Sequence, residues 1–293
     1  MFTWSKAPFP FIDPEWQSYR PPPSEGHQHP PSLLALRRLL KPDELAVAFQ
    51  PIVSLSDGGL FAYEALARCH VAELRSPLVL FERAVEERCV GRLGRAIRDL
   101  ARPLATGHRL FVNVHPLELN EEWLVRPDDP IYGHDHDVFL EITESVPLSG
   151  PVYMEILKEV GSKPGVHLVV DDLGAGYSNL CRIADLQPAV VKVDRQLVAG
   201  VHESARRQQL LSSVVRLCAD LGARVVAEGI ETQSELLAVI DSGAEFGQGY
   251  LFAKPAFPLP EVYWPVDEGR SGSRLKAHAV QGVGTARQRQ PKG

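Results

Sequence analysis

The sequence predicts an α/β protein, and two features of its pattern carry that prediction. Short β-branched or apolar segments recur eight times, at 45–55, 60–67, 110–114, 138–143, 167–171, 189–193, 224–227 and 249–252. Amphipathic segments with helical periodicity, such as 78–105 and 204–221, lie between most of them. Strands that alternate with helices are typical of a parallel sheet covered by helices, and eight of them indicate a closed barrel.

The connection between the first two strands differs from the others. It consists only of Ser56-Asp57-Gly58-Gly59. A turn of this length joins antiparallel strands, whereas a parallel crossover needs about a dozen residues or more. We therefore predict a modified TIM-like (β/α)8 barrel with an antiparallel first strand.

Composition divides the chain of 293 residues into three regions. Residues 1–31 are rich in proline and predict an extended or disordered leader, and residues 267–293 predict a basic, disordered tail. Residues 32–266 carry the alternating pattern, and their number suits a single barrel of roughly 200–250 residues.

Charge and hydropathy exclude several classes of protein. The tail holds six basic residues after Glu268 and no acidic one, so removing them from the formal charge of −6 leaves −12 on the rest of the chain. An acidic body argues against binding DNA or RNA. No apolar run approaches the roughly 18–20 residues of a membrane span, and the start of the chain lacks the layout of a signal peptide, so we expect a cytoplasmic protein that does not insert into membranes.

The four cysteines have no spacing that suits a zinc site, and we expect them to be reduced thiols in apolar surroundings. They are Cys69, Cys89, Cys181 and Cys218.

Polar residues stand at the carboxyl-terminal ends of the predicted strands, where barrels of this kind carry their catalytic groups. In chain order they are Glu64, Asn113, Glu141, the pair Asp171-Asp172, Lys192 with Asp194, Glu228 and Gln248. Several carboxylates at one rim repel each other unless cations offset their charge. Hard oxygen donors favour Mg²⁺ or Mn²⁺, and two such ions would suit the adjacent aspartates. The residues alone therefore indicate metal-assisted hydrolysis of a phosphoester.

Simpler interpretations exist for some of these residues. Lys192 and Asp194 lie two residues apart on one strand face, where they could form an ion pair. The pair Asp171-Asp172 could cap the segment that follows it. His134-Asp135-His136-Asp137 has ligand-type side chains, but it precedes a strand in a loop flanked by glycine and proline, so we do not expect a metal site there.

Eight segments of the chain also resemble a known family, in order and in spacing, over about 34–255. They are Gln50-Pro51-Ile52, Glu64-Ala65-Leu66-Ala67-Arg68, Phe111-Val112-Asn113, Leu140-Glu141-Ile142-Thr143-Glu144, Asp171-Asp172-Leu173-Gly174-Ala175-Gly176-Tyr177-Ser178, Val191-Lys192-Val193-Asp194, Ala227-Glu228-Gly229-Ile230-Glu231-Thr232 and Gln248-Gly249-Tyr250-Leu251-Phe252. The family is that of EAL-domain, cyclic di-GMP-specific phosphodiesterases. Eight ordered motifs are specific, whereas the tripeptide Glu-Ala-Leu alone would not be.

The resemblance implies roles for individual residues. The first metal would be held by Glu64, Asn113, Glu141 and Asp171, and the second by Asp171 and Asp172. The attacking water would be handled by Lys192, Glu228 and Gln248, with the general base open between Glu228 and a metal-bound hydroxide. The substrate would meet Arg68, whose guanidinium suits a phosphate, together with Leu66 and Asp194.

The resemblance also implies regulation through a loop at 172–178, anchored by Glu144 and placed near a homodimer contact. The family often has Phe and Thr where this chain has Leu173 and Ala175, a departure that concerns the loop and not the metal ligands. We expect hydrolysis of cyclic di-GMP to linear 5'-pGpG, with regulation by dimerisation or a separate protein partner. The alternatives are a non-catalytic cyclic di-GMP receptor and a protein-interaction module.

Overall fold

The computed structural model describes residues 40–121, 124–143, 151–175 and 180–265. Within them, eight strands form a closed barrel in the order β1 to β8. The strands are β1 Leu45–Ser54, β2 Leu60–Cys69, β3 Leu110–Asn113, β4 Val138–Thr143, β5 Val166–Leu173, β6 Val190–Val193, β7 Arg224–Ala227 and β8 Phe246–Gln248. The predicted barrel is therefore confirmed.

The reversed first strand is confirmed as well. β1 pairs antiparallel with β2 on one side and with β8 on the other, while the remaining neighbours are parallel. The turn between β1 and β2 closes with a hydrogen bond from the Gly58 N–H to the Ser54 carbonyl (2.9 Å), and Gly58 adopts a φ of 76°. Glycine reaches this left-handed region at little cost, which is why the short turn can reverse the chain.

Helices cover the outside of the barrel. They are α1 Pro77–Glu86, α2 Val90–Leu104, α3 Pro151–Gly161, α4 Leu180–Leu186, α5 Arg195–Val198, α6 Ala205–Asp220 and α7 Gln233–Ser242. The predicted helical segment 78–105 forms two helices, because Arg88 adopts a φ of 54° between Glu86, where α1 ends, and Val90, where α2 begins. Among the described residues, no helix combines the length and the apolarity needed to cross a membrane.

The last strand was predicted too far along the chain, at 249–252, whereas β8 spans Phe246–Gln248. The observed β8 ends at Gln248, and the following residues form a turn in which the Leu251 N–H donates to the Ile230 carbonyl. A Cβ on Gly249 would lie 2.0 Å from that carbonyl oxygen, so the backbone leaves the sheet against Ile230 at this point. The run Tyr250-Leu251-Phe252 is apolar because Phe252 is buried in the core, not because it forms a strand.

Each of the eight strands contributes one side chain to a layer that fills the barrel near its amino-terminal end. The layer consists of Ile52, Ala62, Phe111, Phe139, Val169, Val190, Val226 and Phe246. The aromatic rings stack, with 4.4 Å between the centroids of Phe111 and Phe139 and 3.9 Å between those of Phe61 and Phe246. This layer closes one end of the barrel and leaves the other end for the polar strand ends.

Candidate active site

A second, polar layer lies directly above the apolar one. Side chains that point into a barrel recur every second residue along a strand. Two residues beyond the apolar layer, in the direction of the carboxyl end of the parallel strands, every strand places a polar or charged side chain. These residues are Glu64, Asn113, Glu141, Asp171, Lys192, Glu228 and Gln248, with Gln50 from the reversed β1. The predicted strand-end residues therefore converge.

The side chain of Lys192 lies among the carboxylates of this layer. Its Nζ is 2.7 Å from Glu228 Oε1, 3.4 Å from Glu64 Oε2 and 3.6 Å from Asp171 Oδ1, and it also forms an ion pair with Glu141. Burial by itself lowers the pKa of Lys192, but the surrounding carboxylates outweigh burial and hold that pKa above its ordinary value. The ammonium therefore stays charged, and four carboxylates surround one positive charge.

Two amide side chains complete the hydrogen bonding of Glu64. Its Oε1 accepts from Asn113 Nδ2 (3.0 Å), and its Oε2 accepts from Gln248 Nε2 (2.6 Å). Gln248 Nε2 also donates to Gln50 Oε1 (3.1 Å), and Gln50 Nε2 donates to the Ala253 carbonyl (3.1 Å). Both glutamines are buried, so these bonds fix the rotamer of Glu64.

Gln50 is a site residue that the sequence-based selection missed. It pairs directly with Glu64 across β1 and β2. Its signal was a polar residue within an apolar strand, two positions before the inward-facing Ile52. Because β1 runs backwards, the residue before the apolar layer, and not the one after it, reaches the polar layer.

Three carboxylates form a group that suits a cation. One oxygen from each of Asp171, Asp172 and Glu228 lies within 4.8 Å of the others, and all three residues are buried. Asp172 adopts a φ of 63°, which is costly for a residue with a side chain and marks a constrained position. Oxygen donors of this kind fit Mg²⁺ or Mn²⁺.

The amide oxygen of Gln248 supports the same fit. Among the residues that the structure describes, none donates a hydrogen bond to this buried Oε1. A buried acceptor without a donor is costly, and a cation or a water molecule bound by a cation would satisfy it. The donor set and this atom are both consistent with divalent ions in the site.

A cavity adjoins the acidic layer on the side of β2. Its lining is largely apolar, with one guanidinium and one carboxamide, and comprises Ala65, Leu66, Ala67, Arg68, Pro77, Phe81, Ile97 and Asn113. Arg68 Nη1 donates to the Ala67 carbonyl (2.8 Å), and burial lowers the pKa of Arg68 while Glu64 raises it. Leu66 and Arg68 follow Glu64 at intervals of two, so they share its strand face.

Asp194 lies at the start of α5. Its Oδ1 accepts from the Gln196 N–H (2.8 Å), which makes it the N-cap residue of that helix.

In the loop after β5, Gly174 has a φ of 100°, and a Cβ there would lie 2.5 Å from Leu197. The predicted anchor Glu144 and the end of the loop at 176–178 lie outside the described residues.

The segment 134–137 lies before β4, at the opposite end of the barrel from the acidic layer. His134 Nε2 is 2.8 Å from the His108 carbonyl oxygen, and Asp135 accepts from the Gly107 N–H. Asp137 forms an ion pair with Arg109, and its Oδ1 lies 3.4 Å from His167 Nε2. These contacts hold the loop against its neighbours.

Known proteins resemble the chain over most of its length. It is 32% identical over 249 residues to the cyclic di-GMP phosphodiesterase RocR of Pseudomonas aeruginosa, covering 80% of this chain and 62% of RocR. It is 31% identical over 245 residues to the cyclic di-GMP phosphodiesterase NbdA of the same organism, covering 75% of this chain and 30% of NbdA. The chain thus spans less than two thirds of the length of these relatives.

Among solved structures, a calcium and cyclic di-GMP complex of BlrP1 from Klebsiella pneumoniae matches with a TM-score of 0.69 and 31% identity. The match covers 77% of this chain and 60% of BlrP1. The model of the EAL domain family matches residues 34–255, the span that holds the barrel and every residue of the acidic layer. The reversed first strand, the acidic layer and this match agree, and the chain belongs to the EAL domain family.

Proposed function

We propose that this chain hydrolyses cyclic di-GMP to linear 5'-pGpG in a reaction that depends on divalent metal ions. The observation that carries the proposal is the buried ring of carboxylates around Lys192, with the group of Asp171, Asp172 and Glu228 beside it. RocR and NbdA are named cyclic di-GMP phosphodiesterases, and BlrP1 has been solved with cyclic di-GMP and either calcium or manganese. Family membership and site chemistry therefore support the same reaction.

In this proposal two ions, Mg²⁺ or Mn²⁺, occupy the acidic layer. Glu64, Asn113, Glu141 and Asp171 would hold one, and Asp171 and Asp172 the other. When bound, the ions supply Lewis acidity at the phosphodiester and neutralise negative charge in the transition state. The hydrogen bonds from Asn113 and Gln248 hold the Glu64 carboxylate in one orientation.

The residues around Lys192 handle the water. A water oxygen bonds to phosphorus, the bond from phosphorus to the ribose 3' oxygen breaks, and the phosphate stays on the 5' oxygen. Glu228 accepts the proton that the water loses, and the released 3' oxygen takes a proton from solvent. Lys192, 2.7 Å from Glu228, donates hydrogen bonds and keeps that carboxylate in place, and Gln248 lies at the end of the neighbouring strand β8.

Substrate binding is assigned to the cavity beside β2. Arg68 would contact a phosphate of the dinucleotide, because a planar guanidinium offers paired donors to phosphate oxygens. Leu66 would contact the apolar faces of the nucleotide. Asp194 directly follows the last residue of β6, and we assign it to the substrate side of the site together with its role at the start of α5.

A turnover assay on the purified chain tests the proposal. With Mn²⁺ or Mg²⁺ the wild type should convert cyclic di-GMP to pGpG, whereas Glu64→Ala should lose at least about 100-fold in kcat. Glu228→Ala should also abolish turnover without unfolding the protein. Glu86→Ala, which alters an exposed ion pair with Arg83, is the matched control and should keep wild-type activity.

The alternatives give different results in the same assay. Nucleotide binding without pGpG formation by folded, metal-loaded wild type would identify a receptor. Neither binding nor turnover would favour a protein-interaction module. The presence of the metal-type and water-handling side chains in one layer supports the enzyme.

The proposal extends to assembly and location. We propose a homodimer, with the loop after β5 near the contact, that works in the cytoplasm and responds to dimerisation or a separate protein partner. Sedimentation of the purified chain with and without cyclic di-GMP checks the oligomeric state.

A further inference from the structure

A buried carboxylate outside the acidic layer joins two of the turns that carry site residues. It belongs to Glu235, in the first turn of α7, and its side chain is 6% exposed. Oε1 accepts from the Gly200 N–H (2.8 Å), in the loop after β6 and α5. Oε2 accepts from the N–H groups of Glu231 and Thr232 (both 3.0 Å), in the turn after β7.

These hydrogen bonds are stronger than those of an ordinary surface cap. Burial by itself raises the pKa of Glu235, but the three backbone N–H groups outweigh it and hold that pKa below its usual range. Hydrogen bonds to an ionised carboxylate are roughly twice as strong as those between neutral groups. The carboxylate is therefore charged and satisfied by two separate loops.

The turn that Glu235 holds is the one that carries Glu228. Glu228 and Gly229 lie three and two residues before Glu231, and Gly229 adopts a φ of 68° with its backbone against the Arg195 side chain. An ion pair from Arg195 to Glu231 (2.9 Å) also spans the two loops, but both side chains are more than a third exposed. Exposed ion pairs contribute little, so the buried Glu235 contacts dominate the connection.

We propose that Glu235 is a positioning residue that fixes Glu228 opposite Lys192 and beside the aspartate pair by joining the loops after β6 and β7. The expected effect of Glu235 on turnover rests on the proposed function. The expected effect of Glu235 on metal binding is independent of that function, because Glu228 belongs to the same group of three carboxylates as Asp171 and Asp172 whatever reaction follows.

The capping box of α7 provides a matched control. Thr232 Oγ1 accepts from the Glu235 N–H (3.2 Å), so Thr232→Ala weakens the start of the helix and leaves the Glu235 carboxylate in contact with Gly200. Glu235→Gln instead keeps the hydrogen bonds at the start of the helix and removes the contact between the Glu235 carboxylate and Gly200. Its amide oxygen can still accept the N–H groups of the helix start, whereas its NH₂ group would face the Gly200 N–H.

The experiment compares the full chain with these two variants. Mn²⁺ binding is measured by calorimetry, turnover of cyclic di-GMP by product formation, and hydrogen exchange in the segment 199–202 by mass spectrometry. Glu235→Gln should raise the dissociation constant for Mn²⁺ and lower kcat, each by roughly tenfold, with a smaller change in KM and faster exchange at 199–202. Thr232→Ala should lower the unfolding midpoint by roughly a few degrees and change neither constant.

The inference is overturned if Glu235→Gln binds Mn²⁺ as the wild type does, if wild type binds no Mn²⁺, or if Thr232→Ala weakens binding equally. If the wild type binds Mn²⁺ but forms no pGpG, and Glu235→Gln weakens binding, the proposed function fails and the positioning role stands. Should Glu235→Gln not fold, Glu235→Asp keeps the charge while withdrawing the oxygens from Gly200 and should show the same pattern. If neither variant folds, Glu235 serves the fold and not the site.

Discussion

At the scale of single residues, charge balance around Lys192 governs the site. Four carboxylates approach one buried ammonium, and three of those carboxylates, Glu64, Glu141 and Asp171, are almost fully buried. The desolvation of such a group is offset only by good geometry and by further cations. The layer that suits metal ions is thus also a source of instability without them.

Replacing Lys192 tests this balance. We expect Lys192→Met to destabilise the metal-free protein by about 3–5 kcal/mol, because the substitution leaves buried carboxylates without their ammonium partner. Added Mn²⁺ should recover more stability in the variant than it adds to the wild type. Urea unfolding in EDTA and in Mn²⁺ measures both. Equal stability of the two proteins in EDTA would contradict the expectation.

At the scale of elements, the β1–β2 turn shows how local geometry and tertiary contact combine. Gly58 has a φ of 76°, and a Cβ there would lie 2.4 Å from the Trp264 ring. Gly107 has a similar φ of 83°, but a Cβ there would meet nothing within 4 Å. The two glycines therefore share backbone strain and differ in packing.

Alanine substitutions at Gly107 and Gly58 separate the cost of backbone strain from the cost of steric overlap. Gly107→Ala should destabilise the protein by about 1 kcal/mol through backbone strain alone. Gly58→Ala should cost about 1–3 kcal/mol more, because its methyl group displaces Trp264. Chemical denaturation of both variants gives the difference, and equal losses would show that the Trp264 contact is not needed for stability.

In helix α6, the buried thiol of Cys218 makes the stability of the protein depend on pH. Burial, with a smaller contribution from Glu245, raises the pKa of Cys218 to about 11. The folded chain therefore keeps a proton that the unfolded chain loses first. This contribution is complete below the ordinary thiol pKa and is lost as pH rises towards about 11.

The expected outcome is a pH-dependent difference between wild type and Cys218→Ala. Near pH 8 the variant should be the less stable, since it lacks the packing of the sulfur atom. Near pH 10 the wild type should have lost about 1 kcal/mol more than the variant. Urea unfolding of both proteins at each pH measures this, and a constant gap between them would contradict the assignment.

At the scale of the whole molecule, the barrel interior consists of an apolar layer below an acidic one. The layers are offset by two residues on every strand, so the apolar side chains support the polar ones directly. The ring of Phe139 is 1% exposed, stacks on Phe111 and lies 4.8 Å from His167 between ring centroids. The side chains that stabilise the barrel and those that carry its chemistry thus lie in separate layers.

We expect Phe139→Ala to cost about 3–5 kcal/mol, because it removes a ring from the apolar layer, to which all eight strands of the described barrel contribute. Mn²⁺ affinity of the folded variant should stay within about twofold of wild type, since the acidic layer keeps its ligands. Phe257→Ala, at a ring that is 58% exposed, is the control and should cost less than about 0.5 kcal/mol. Loss of Mn²⁺ binding in folded Phe139→Ala would show that the layers are coupled.

Much of the barrel could be read from the chain, because strand periodicity and turn length are local properties. Seven strands were predicted, the reversed β1 among them, since apolar runs and the turn 56–59 need only neighbouring residues. The strand at 249–252 was wrong, and the division of the helical segment 78–105 into two helices was not predicted. A backbone contact between Gly249 and Ile230, and the left-handed Arg88, decide those two places, and neither has a local signal.

For the site, the chain alone was enough to predict which side chains stand at the strand ends and that their carboxylates require cations. The tertiary structure decided how they meet: Lys192 within reach of four carboxylates, Gln50 in the polar layer, and Glu235 between two loops. The reason is physical. Residue type and spacing determine the chemistry and face of each strand, whereas barrel closure and strand direction set which distant residues come within a few ångströms.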